Sequence, residues 1–330
     1  MKAESMSLCI PFFYEGEEKM KVLIAGGAGE IGKYLAKDFP KRGHEVVVLD
    51  QAPKTPEMEK IPITYFQGSL INRALVDEIV QGMDVIINLA WSFSDEPHTI
   101  FEEDIKGHLH LLEAASSSGV KHFIYTSTAT VYGRGVLHPV TETHPRLIGD
   151  ARKPLYALGK YTAEELCQFY HKGKNLPVTI FRFWWAFGES IGGRHLRDLI
   201  KKSLGHQPLE MVRGAGGTFV TMEDLSRAVA LTITTPTGSG QIYNVGSLFL
   251  TWEEIGRMIL DLTHSISTIQ YVPSDQWKGP AFLNEVWDLS WEKAEKDLGF
   301  KPGHSNEEIR SQFAQALQKC IAKVKEEKST

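Results

Sequence analysis

Met20-Lys21-Val22-Leu23-Ile24-Ala25 runs directly into Gly26-Gly27-Ala28-Gly29-Glu30-Ile31-Gly32, and a second apolar run from Glu45 to Leu49 ends at Asp50. The first six residues read as a strand buried on both faces, since they show no polar alternation. Lys33 to Phe39 reads as a helix. Strand, glycine loop, helix, strand and acid, in that order, are what a dinucleotide site requires. Gly26 permits the tight turn, Gly29 lets backbone approach a pyrophosphate, and Gly32 lets the helix pack on the strand. The phosphates then meet the positive end of the helix at Glu30 and Ile31. Asp50, with Gln51 beside it, is placed to bind a ribose 2′-hydroxyl and to repel a 2′-phosphate. No Arg follows it directly, so NAD is expected over NADP, with Lys54 as the residue that speaks for the other choice.

The alternation continues outward from this unit. Strands are expected near Ile63 to Phe66, Asp84 to Ala90, Lys121 to Ser127 and Val178 to Phe183, with helices from Asn72 to Gln81 and from about Pro97 to Ser118. Repeated units of this length predict an α/β fold with a doubly wound parallel sheet, whose ligands collect at the carboxyl ends of the strands. Gly68-Ser69-Leu70 and Leu89-Ala90-Trp91 fall at such ends. They are the expected walls for the adenine and nicotinamide halves of the cofactor.

Tyr156-Ala157-Leu158-Gly159-Lys160 sets a phenol and an ammonium on one face of a helix. A tyrosine with its ordinary pKa of about 10 needs such a neighbour to exchange protons at neutral pH. The spacing is common, so the rest of the chain has to decide whether the pair is catalytic.

The 330 residues carry a formal net charge of −5 and no dense basic stripe, which argues against nucleic acid or an anionic membrane as the partner. A small-molecule substrate is the better expectation. Cys9, Cys167 and Cys320 are far apart and in no metal-ligand spacing, so neither a metal nor a disulfide framework is expected, in keeping with the cytoplasm. Residues 1–19 read as an appended arm. Its apolar stretch from Leu8 to Tyr14 is broken by Pro11 and followed by acids, and it resembles neither a signal peptide nor a membrane span.

With Phe123-Ile124-Tyr125-Thr126-Ser127-Thr128-Ala129-Thr130-Val131-Tyr132-Gly133 ahead of Tyr156, the chain resembles the extended short-chain dehydrogenase/reductases, the group that includes nucleotide-sugar epimerases and dehydratases. The resemblance runs from about residue 20 to 325 and includes MEDLSRAV, IYNVGS and DLSWEKAEKDLGFKP. It implies a Rossmann-type sheet with NAD, and a smaller C-terminal substrate-binding domain over residues 184–330 interwoven with a domain at 20–183. By the same resemblance Thr128 holds the reacting oxygen, Tyr156 is the acid/base, and Lys160 lowers its pKa while binding the nicotinamide ribose. Thr126, Lys160 and Phe183 join the cofactor contacts. A homodimer through the helices around 97–118 and 156–172 is also implied.

The departures bear on substrate. Dehydratases and decarboxylases of the group carry carboxylates just after the hydroxyl residue, whereas this chain has Ala129 and Thr130, a pattern closer to 4-epimerases or plain dehydrogenases. Trp185 stands where nucleotide-sugar enzymes show an Asn, and Gly217 falls where an Arg is usual. Trp184 and Trp185 can instead stack on a bare sugar ring, with Trp91, Ser92 and Arg194 as further substrate contacts, and Arg213 as a second cation. The expected activity is hydride transfer at a secondary hydroxyl of a sugar or related compound. A 4-epimerase that retains NAD, and a non-catalytic NAD-sensing protein, are the alternatives. Beyond residue 184 the pattern is irregular, with helices near Leu196 to Ser203, Glu223 to Thr234, Trp252 to Leu262 and Ser305 to Lys325, and a frayed charged tail from Lys323.

Overall fold

The computed structural model describes residues 18–329, so the arm, apart from Glu18 and Lys19, lies outside the described residues. Six strands, β1 (Lys21–Ala25), β2 (Glu45–Asp50), β3 (Ile63–Gln67), β4 (Val85–Asn88), β5 (His122–Thr126) and β6 (Val178–Arg182), form a parallel sheet with a seventh, Gln241–Asn244. The order is Gln241–Asn244, β6, β5, β4, β1, β2, β3. Winding reverses between β1 and β4, and the crevice above that switch point is where such sheets collect ligands.

The apolar runs of β1 and β2 explain why this sheet is central. Alternate residues along a strand face opposite sides. Val22, Ile24, Val46 and Val48 pack under helix α1 (Glu30–Asp38) and the helix Met222–Thr234, through Leu35, Leu225 and Val229. Leu23, Ala25, Val47 and Leu49 pack on the other face against α2 (Arg73–Val80), α3 (Lys106–Ser117) and α4 (Pro154–Lys174). Asn72 starts α2 where expected, its side chain accepting a bond from the Leu75 amide.

The chain after β6 builds a second sheet from Trp185–Phe187, Gly216–Thr221, Leu248–Thr251 and Val286–Trp287. Its core is shared with the helices Arg194–Leu204, Trp252–Thr263 and Asn306–Ser329. The glycine-rich stretch at 213–217 runs into a fully buried strand, because Gly216 lets the Leu250 carbonyl approach to where a Cβ would lie 2.3 Å away. Two expectations change here. The tail does not fray at Lys323; it stays helical to Ser329, with Val324 buried and Glu327 paired with Arg197. The helix expected from Pro97 to Ser118 opens with a π-helical stretch, Thr99–Ile105, before α3 begins.

Candidate active site

The glycine loop leaves β1 at Gly26, whose φ of 80° lies in the left-handed region. A Cβ there would sit 2.6 Å from the Ala90 amide, and one on Gly32 would sit 2.5 Å from the Gly26 carbonyl. Both positions must therefore stay bare for β1, β4 and α1 to meet. Gly29 differs, because a Cβ on it would meet only the Gly26 carbonyl at 3.5 Å. It opens instead on a cavity of about 460 Å³ that runs from Asp50 and Ser69 past Gly29 to Trp91 and Asp104. Gly29 caps α1 without a side-chain bond, so the first-turn amides at Glu30 and Ile31 are available to an anion. Asp50 is fixed by two backbone amides, Ala28 to Oδ2 at 2.8 Å and Ala52 to Oδ1 at 2.9 Å. Gln51 and Ser69 bond each other at 3.4 Å on the same wall. A bare backbone cradle, a helix N-terminus and a fixed carboxylate in one crevice fit NAD. Asp50→Ala is expected to weaken NAD binding roughly 10- to 100-fold and to narrow the preference over NADP, as measured by titration calorimetry with each dinucleotide.

Behind Trp91 and Phe93, which line that cavity, Thr128, Tyr156 and Lys160 converge from the segment after β5 and from α4. The Thr128 side chain is near enough to the Tyr156 phenol to favour its charged form, and its Oγ1 accepts from the Thr130 amide at 3.2 Å and lies 3.0 Å from the Thr130 hydroxyl. Ala129 is buried and its amide donates to the Phe183 carbonyl at 2.9 Å. Lys160 Nζ donates to the Thr126 carbonyl at 3.0 Å and lies 4.3 Å from the centre of the Trp91 ring. The depressed phenol expected from the spacing is not found in this state. Burial pushes Tyr156 well above its ordinary value, the Thr128 side chain opposes this, Asp104 adds to it, and Arg152 lowers it. Burial likewise pulls Lys160 down to about 7, against the charges of Asp104 and Glu164. Lys160 is committed to a carbonyl and an aromatic face, and the phenol is enclosed by aromatic rings.

Those rings come from one loop. Trp91 meets Tyr156 edge-on at 6.4 Å, and Phe93 stacks on it at 5.9 Å with a left-handed φ of 57°. Ser92 between them bonds Asp104 through both its amide and its hydroxyl, at 2.8 and 2.6 Å. Leu70, Leu89 and Ala90 line the cavity.

The expected substrate contacts divide. Trp184 stacks on Phe282 at 5.0 Å, and Trp185 tilts against Phe219 at 5.7 Å, so both belong to an aromatic panel beside the site. Arg194 is 90% exposed and faces Asp198, and Arg213 lies over Tyr271; neither is brought to Tyr156. The cation whose charge acts on Tyr156 is Arg152, which the sequence did not single out. A Cβ on Gly217 would lie 2.4 Å from the Trp184 ring, so the tryptophan fills the space next to that position. Among the described residues no cluster suits a metal ion, and no helix is long and apolar enough to cross a membrane.

Residues 22–246 match the model of the NAD dependent epimerase/dehydratase family. The chain is similar to a UDP-N-acetyl-alpha-D-glucosaminuronate decarboxylase of Bacillus cytotoxicus, 32% identical with 78% of this chain and 85% of the relative covered. It is also similar to a UDP-glucose 4-epimerase of Lactobacillus helveticus, at 25% identity with 87% of this chain and 93% of that one covered. Among solved structures, a UDP-glucose 4-epimerase of Thermotoga maritima superposes with a TM-score of 0.75 over 92% of this chain and all (100%) of that one, at 23% identity. The chain therefore belongs to the NAD dependent epimerase/dehydratase family, within the extended short-chain dehydrogenase/reductases, and is an enzyme whose cofactor is NAD.

Proposed function

We propose that the protein removes hydride from a secondary hydroxyl of a sugar or related compound and works as a dehydrogenase. The observation that carries this reading is the packing of Tyr156 against Trp91 and Phe93 of the NAD cradle, with Lys160 over the same Trp91 ring and with Ala129 and Thr130 after Thr128 in place of carboxylates. Tyr156 Oη takes the hydroxyl proton while Thr128 Oγ1 holds the same oxygen, and Lys160, bonded to Thr126, supports the cofactor ribose. NAD, when bound, accepts the hydrogen of the carbinol carbon with its electron pair. Trp91 and Phe93 exclude water from the phenol, and Phe93 has to swing away for a substrate to enter. Without a carboxylate at 129 or 130, the second proton transfer of a dehydration has no local acid or base.

The decarboxylase and epimerase relatives are named for UDP-linked sugars. In this chain the Trp184 ring abuts Gly217, and Trp185 stands where the polar contact of nucleotide-sugar enzymes is expected. This supports a substrate held by its sugar ring. A second reading, 4-epimerisation with NAD retained, is favoured by the coverage of the 4-epimerase relative across 93% of its length. We also place the enzyme in the cytoplasm, with Cys167 and Cys320 unpaired. As a homodimer it would use the faces that carry the exposed Phe101, Leu158 and Phe169. Incubation with NAD and a panel of free and nucleotide-linked sugars tests the reading. Accumulation of NADH is expected; an inverted product without NADH would establish the epimerase instead.

A further inference from the structure

Two residues before α4, Arg152 lies with its guanidinium carbon 4.7 Å from the centre of the Phe282 ring. One of its amino groups donates to His195 Nε2 at 3.0 Å. His195 stacks on Phe282 at 5.2 Å, so the three residues, from three distant segments, hold one another. Burial and the adjacent Arg152 charge lower the His195 pKa, which keeps the imidazole a neutral acceptor rather than a second cation. The neighbouring cations have acids, Lys153 with Asp95 at 3.0 Å and Arg194 with Asp198 at 3.9 Å. Arg152 forms no ion pair among the described residues, yet its charge is felt at the Tyr156 phenol. An oriented, unpaired guanidinium with one edge anchored leaves its other edge for a bidentate partner.

We propose that Arg152, held by His195 and Phe282, binds anionic oxygens of the substrate, and that the enzyme therefore selects an acidic sugar over a neutral one. The inference rests on the reading of this pocket given above. The oxygens belong either to a carboxylate on the sugar or to a phosphate attached to it. Phe282, stacked on Trp184, continues the apolar panel that would carry the ring.

The test compares a neutral hexose, the corresponding hexuronate and the hexose phosphate with the NAD-loaded protein. The acidic compounds are expected to exceed the neutral one at least 10-fold in kcat/KM. Arg152→Gln should raise KM for the preferred acid roughly 10- to 100-fold, with a smaller change for the neutral sugar, and Arg152→Lys should recover part of the loss. Whether the hexuronate or the phosphate suffers identifies the anion. Equal use of neutral and acidic sugars by the wild type, or equal losses on both in Arg152→Gln, would overturn the proposal. If none of the sugars turns over, the dehydrogenase reading fails, and calorimetric binding of the same compounds still decides. Weaker binding of the acid by Arg152→Gln upholds the anion site, and unchanged binding removes it.

Discussion

Tyr156→Phe is expected to lower kcat by 10²- to 10⁴-fold, roughly the contribution of a positioned acid/base, while NAD binding stays within a few-fold. The substitution removes only the oxygen, so the ring contacts with Trp91 and Phe93 remain. The sign of the pH dependence follows from the burial of the phenol. With its pKa raised, the base form is scarce at neutral pH, and the wild-type rate should climb as pH rises into the alkaline range. Tyr156→Phe should lose that slope along with the rate. Steady-state kinetics across pH, with NAD affinity measured separately, check both points. A Phe variant that kept the wild-type rate would remove Tyr156 as the acid/base, and NAD binding with no turnover of any sugar by the wild type would support the non-catalytic NAD-sensing reading.

The second large effect is on stability. Tyr156, Lys160 and Glu164 lie on one face of α4 at successive turns, and Glu164 is fully buried against Arg182 at the end of β6. Arg182 Nε donates to Oε1 at 2.9 Å and an amino group to Oε2 at 2.5 Å, and the guanidinium lies 4.8 Å from the centre of the Tyr132 ring. Tyr132 in turn donates to Asn244 at 2.6 Å, on the strand beyond β6. Glu164→Ala leaves a buried guanidinium without its counter-charge and is expected to destabilise the protein by about 3–5 kcal/mol. Pairing it with Arg182→Met should restore much of that loss, because both charges are then gone. Urea unfolding of the two single variants and the double variant measures the coupling. Equal losses in the double variant and the sum of the singles would mean that the pair is not energetically linked.

The parts of this protein legible in its sequence are those set by local backbone demands. Gly26 and Gly32 are required by the approach of neighbouring backbone, and Asp50 by the end of its own strand, so a short window reveals each. Tyr156 and Lys160 are one turn apart. Arg152, His195 and Phe282 were not legible, because their meeting depends on packing between segments 43 and more residues apart. The same is true of Phe93, which reads as an ordinary loop residue until α4 is placed beneath it. The raised phenol was missed for a related reason: charge spacing on a helix is visible in sequence, whereas burial by a distant loop is not.

The contact between Gly217 and the Trp184 ring also constrains how this pocket can change over evolutionary time. An arginine introduced at 217 would collide with the indole at its first side-chain atom. Shrinking Trp184 first would open a hole among Phe219, Trp252 and Phe282, costing about 3–5 kcal/mol on its own. Each single step is therefore disfavoured while the pair together need not be. An arginine engineered at 217 would therefore have to come together with a smaller residue at 184.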